Sequence, residues 1–165
     1  MRDPFPIPPT EGLQRIVKPI AQLFGLQTLH LHIHEVILAF IVYQVFFAYI
    51  CPYLSTRFLP SHYLPLPREG KLRWNMKCVS FLQSTFISSL SLWVMYHDIE
   101  RAAMNLEERI WGYTGAAGMV QGFAVGYFVW DTYIMILHTE VFGIAMLVHG
   151  VACTVTFSLG FVSMR

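Results

Sequence analysis

Residues 113–161 read YTGAAGMVQGFAVGYFVWDTYIMILHTEVFGIAMLVHGVACTVTFSLGF, and only Asp131 and Glu140 among them carry a full charge at neutral pH. A helix needs about 20 mostly apolar residues to cross the hydrocarbon of a bilayer. The stretch therefore holds two spans, placed at about 113–137 and 141–161. His138, Thr139 and Glu140 alone separate them, which predicts a tight antiparallel hairpin.

Two further stretches meet the same demand. One covers about 36–53 and is stopped by Pro52 and then by Arg57 and Pro60. The other covers about 78–96, between Lys77 and a polar stretch that runs from His97 to Arg109. None alternates as barrel strands do, and backbone groups in lipid must be paired within their own segment, so all four are read as helices. The expected fold is all-α, a polytopic membrane bundle of about four transmembrane helices at 35–165, preceded by a tail at 1–34.

Composition agrees. Of 165 residues 55% are hydrophobic and 13% charged, about half the charged share of a soluble domain. That excludes intrinsic disorder. With a net charge of +1 there is no field to gather nucleic acid. Cys51, Cys78 and Cys153 are odd in number and form no CxxC pair, so no disulfide framework is expected. The opening MRDPFPIPPT lacks the apolar centre of a cleaved signal peptide, which leaves insertion to the first span.

In the tail, Leu13, Ile16, Val17, Ile20, Leu23 and Phe24 recur at helical spacing, with Gln14, Arg15, Lys18 and Gln22 opposite. This pattern fits a helix lying in the membrane interface. Pro19 interrupts it, and a loosely structured tail is the alternative.

Small residues mark two spans. Gly118, Gly122 and Gly126 lie on one face of the third, and Ser80, Ser84 and Ser88 repeat the spacing in the second. Such ridges let backbones approach where lipid offers no hydrophobic drive, so both stripes are read as helix-packing faces; a polar cavity lining is the alternative. Asp131 and His149 are the ionisable residues within spans. Intramembrane charge is costly and marks a candidate site. Counted from Thr139, the two stand at depths of roughly 12 and 15 Å on antiparallel helices, level enough to meet. Asp131 falls on the face of the third span opposite the glycines. The plain alternative is that both are ordinary hydrogen-bonded groups of the bundle.

Before the first span lies HLHIHE, in which His30 and His34 are four apart. Two ligands are too few for a zinc site, and the HExxH pattern is absent. No metal and no cofactor is expected. GYTGAAG opens a span without a preceding strand and is no phosphate loop.

Asn75, the run VSFLQS at 79–84, GYFVWD at 126–131 and VHG at 148–150, in that order, resemble the TLC domain family, which includes the ceramide synthases. The resemblance covers about residues 35–161. It implies a role in membrane lipid homeostasis at the endoplasmic reticulum. The family's domain continues for further spans, so this chain is expected to carry only the first part of one. Where the family pattern has a histidine this chain has Gln83, and the His-His pair tied to acyl transfer in ceramide synthases is here His149 followed by Gly150. The expected function is therefore binding of a lipid, sphingolipid or phospholipid, within the bundle. Asp131, His149, Gln83 and Ser84 would meet its headgroup. The alternatives are sphingoid-base N-acylation, with His149 as base and Asp131 orienting it, and a membrane scaffold that binds no lipid. The expected partners are membrane lipids and, for a multi-pass bundle, further copies of the chain; nucleic acid is not among them.

Overall fold

The computed structural model describes residues 3–162, and every regular element among them is helical. Four helices are long and apolar enough to cross a membrane: Leu29–Phe58, Arg68–His97, Gly115–Leu137 and Ile144–Phe161. The four expected spans are present, but their boundaries differ. The first span begins before residue 36 and takes in His30, His32, His34 and Glu35. The second begins at Arg68, ahead of Lys77. The fourth begins at Ile144, because Thr139–Phe142 forms a separate short helix and Gly143 turns with φ +83. Only glycine adopts that left-handed backbone at little cost.

Pro52 does not end the first span. Proline has no N–H and its ring clashes with the carbonyl four residues back. The helix absorbs this by widening to a π turn at Phe46–Ile50 and then continues to Phe58. Widening leaves one carbonyl short. The Cys51 N–H bonds Phe46 O instead of Phe47 O, and the next position, Pro52, has nothing to donate. The side-chain amide of Asn75 on the second span supplies the missing donor to Phe47 O at 3.3 Å. Unpaired backbone groups are costly in lipid, so the sequence places an amide where a proline removes one.

The third span is the centre of the bundle. Its glycine face receives the first span. A Cβ at Gly118 would stand 2.2 Å from His32 Nε2, one at Gly122 2.5 Å from Glu35 Oε2, and one at Gly126 2.6 Å from both Ala39 Cβ and Val36 O. The opposite face receives the fourth span through Thr132 and Thr154, whose hydroxyls are 3.0 Å apart, and through the Phe128 ring packed at a tilt on Phe157. Between the first, second and third spans Tyr43, Phe47, Met76, Val79 and Trp130 form the apolar core.

The serine stripe does not pack. The second span buries Asn75, Met76, Val79, Gln83 and Val94, while Ser84 and Ser88 are exposed. Ser84 donates to Phe81 O of its own helix at 3.0 Å, and a hydroxyl satisfied within its helix needs no neighbour. Ser80 alone faces inward.

Candidate functional site

Asp131 and His149 line one cavity of about 390 Å³ between the second, third and fourth spans. Met76, Phe128, Met135, Phe142 and Met146 make its apolar walls, and Ser80 and Tyr127 add hydroxyls, which stand 3.0 Å apart. Arg73 and Lys77, one turn apart on the second span, bring two positive charges to the same cavity. Arg73 donates to the Val141 carbonyl and lies over the Phe142 ring at 5.8 Å, so its guanidinium is held in place at the hairpin.

The expected meeting of Asp131 and His149 is not made. Among the described residues neither a hydrogen bond nor an ion pair joins them; the His149 ring reaches Cys153 Sγ at 3.5 Å from Nε2. The residue of the fourth span that faces Asp131 is Gly150, where a Cβ would lie 3.4 Å from Asp131 Oδ2 and 3.1 Å from Thr132 Oγ1. The depth arithmetic brought the two helices level. Helical phase turned His149 one position away.

Two expected site residues lie elsewhere. Gln83 is buried and accepts the hydroxyl proton of Tyr43, so it ties the second span to the first and does not line the cavity. Ser84 points outward. Gly118, Gly122 and Gly126 act in packing.

A second polar cluster sits at the other end of the first span. His32 and Glu35 are fully buried, with His32 Nδ1 2.8 Å from Glu35 Oε2 and His32 Nε2 2.6 Å from the Tyr113 hydroxyl. Burial, with Asp3 and Glu35 nearby, pushes Tyr113 up to about 12. The phenol therefore keeps its proton, and the two ring nitrogens of His32 join it to the Glu35 carboxyl. The i,i+4 spacing singles out His30 and His34 instead. The legible signal was that His32, Glu35 and Ala39 share the register of the three glycines.

Beyond the spans, Thr114 caps the third helix by accepting from Ala117 N, while its own hydroxyl donates to Asp98 Oδ2 at 2.6 Å. Burial acts to raise the Asp98 carboxyl, but lowering contributions led by the Thr114 hydroxyl hold the group below its ordinary value.

The TLC domain profile matches residues 73–164. The chain belongs to the TLC domain family. It is 31% identical over 149 residues to an uncharacterized TLC domain-containing protein of Schizosaccharomyces pombe, covering 89% of this chain and 49% of that one. It is also 24% identical over 123 residues to topoisomerase I damage affected protein 4 of Saccharomyces cerevisiae, covering 73% of this chain and 41% of the relative. The chain thus spans about half the length, or less, of these curated relatives. No solved structure matches it. As a TLC domain protein with four helices fit to cross a bilayer, it is an integral membrane protein of a family associated with membrane lipids.

Proposed function

We propose that the chain binds one amphipathic lipid in the cavity between the second, third and fourth spans and serves membrane lipid homeostasis at the endoplasmic reticulum. The observation that carries this reading is the division of the cavity lining. Arg73 and Lys77 supply positive charge, Asp131 a buried carboxylate, and the methionines and phenylalanines an apolar wall. A small-molecule site is mostly apolar with a few placed polar groups. A phospholipid that carries an amine or hydroxyl answers each part: its phosphate meets Arg73 and Lys77, and the amine or hydroxyl meets Asp131. The volume holds a headgroup and the start of an acyl chain, and the rest of the chain lies along the exposed apolar helix faces.

Geometry favours binding over acyl transfer. The transfer reading needs a carboxylate to orient the histidine base. Here Asp131 faces Gly150, and His149 turns to Cys153.

Lipids co-purifying with the protein in a mild detergent test the proposal by mass spectrometry. The wild type is expected to retain a defined phospholipid near one per chain. Arg73→Ala with Lys77→Ala, and separately Asp131→Ala, are expected to lower that occupancy at least about tenfold, the loss of about 1.4 kcal/mol or more of binding energy. Unchanged retention in both variants overturns the site, and no defined lipid in the wild type favours a scaffold.

A further inference from the structure

The N-terminal tail folds back over the end of the first span and places Asp3 beside His34 and Glu35. One ligand atom from each of these three residues lies within 4.8 Å of the others. The Asp3 carboxylate is fixed by the Phe5 N–H on Oδ1 at 2.9 Å, and Phe5 packs its ring on His34 at 5.5 Å. Around this point three buried polar atoms lack a hydrogen bond. Glu35 Oε1 and both ring nitrogens of His34 are buried and make no hydrogen bond, although Glu35 is fully buried and the His34 side chain only 10% exposed. Such groups cost about 1–3 kcal/mol each when unpaired. Among the described residues no lysine or arginine pairs with Asp3 or Glu35. Asp3 and Glu35 converge on the His34 ring, and both also pair with His32, whose Nδ1 lies 3.5 Å from Asp3 Oδ2 and 2.8 Å from Glu35 Oε2.

We propose that Asp3, His34 and Glu35 form a binding site for one divalent transition-metal ion of the zinc or manganese class. One imidazole and two carboxylates are the donors such ions take. Glu35 Oε1 and His34 Nε2 stand 4.0 Å apart. Donors about 2.0 Å from a tetrahedral ion stand about 3.3 Å apart, so a side-chain shift of under 1 Å closes that pair. The third donor comes from the N-terminal tail, where the Asp3 side chain is 27% exposed. The second oxygen of Glu35 is already held by His32, itself held by Tyr113, and outer hydrogen bonds of this kind orient metal-binding carboxylates. Three protein ligands leave a position for water. Bound there, the ion fastens the tail to the first span. The site is separate from the lipid cavity: Glu35 packs at Gly122, nine residues and about 13 Å along the third span from Asp131.

The full chain, purified without a polyhistidine tag and stripped with a chelator, is dialysed against zinc and, in a second arm, manganese. Retained metal is then counted by elemental mass spectrometry. About one ion per chain is expected in at least one arm, with at least a tenfold weaker affinity in Asp3→Asn and in Glu35→Gln, and no change in His30→Ala. Asp3 lies in the tail, so Asp3→Asn leaves the bundle folded and decides the matter should Glu35→Gln fail to fold. A wild type that retains neither ion, or occupancy that survives Asp3→Asn, overturns the proposal.

Discussion

Position 32 shows how a single side chain can organise a bundle end. Its ring occupies the space that Gly118 leaves and carries hydrogen bonds from the third span's approach to the first. With His32→Leu the Tyr113 hydroxyl and Glu35 both lose a partner; with Glu35→Leu His32 Nδ1 loses its nearest partner. Replacing one partner of a buried pair exposes the full desolvation cost of the other, whereas replacing both does not. Each single variant is therefore expected to lose about 1–3 kcal/mol, and the double variant less than their sum by about 1 kcal/mol or more. Thermal unfolding in detergent with chelator present measures the cycle. Strict additivity would refute the coupling. None of this was legible from HLHIHE alone. An i,i+4 spacing singles out His30 and His34, whereas the buried pair uses i,i+3, and the third span decides which face of the helix is inside. The same limit explains Asp131. Its depth could be counted from the hairpin, but the residue it would face depends on the rotation of the fourth helix, which Gly143 sets.

At the level of the element, hydropathy located all four spans, because length and apolarity are what a bilayer demands and both are written in the residues. The ends were less legible, since charged and histidine-rich turns continue a helix as readily as they stop it. Pro52 is the instructive case. A lone proline reads as a stop, yet the π turn and Asn75 together keep the first span whole to Phe58. Asn75→Asp replaces the donor by an acceptor facing the Phe47 carbonyl, and Asn75→Ala leaves that carbonyl bare. Both are expected to destabilise by about 1–3 kcal/mol, the aspartate more. Pro52→Ala returns an N–H to the first span, so Asn75→Ala in that background should cost less than half as much. Melting temperatures of the wild type, Asn75→Ala, Pro52→Ala and their double variant in one detergent decide it. An equal cost in both backgrounds means that Asn75 acts through some other contact, of which Cys51 Sγ at 3.5 Å is the nearest candidate.

For the whole molecule, the third span divides labour: one face is closed by glycines against the first span, and the other opens on the cavity. The N-terminal helix Glu11–Leu23 lies against the first span and keeps its helix through Pro19. The sequence groups Leu13, Ile16, Val17, Ile20, Leu23 and Phe24 as one face, but the structure splits them. Leu13 and Val17 are half-buried beside the buried Ala21, while Ile16, Ile20, Leu23 and Phe24 remain exposed at 57–82%. Arg15, Lys18 and Gln22 lie on the opposite side. An outward apolar stripe beside a basic one is the arrangement of a helix seated in the headgroup boundary. Moving those four side chains out of water gains on the order of 1 kcal/mol each. Ile20→Cys and Lys18→Cys are both exposed on an isolated molecule and differ only if lipid covers one side. In proteoliposomes a membrane-impermeant maleimide, its product resolved by peptide mass spectrometry, should label position 18 at least about tenfold faster than position 20, and the two alike once the chain is denatured. Equal rates in the folded protein would show the helix standing clear of the membrane, with its apolar stripe awaiting some other cover.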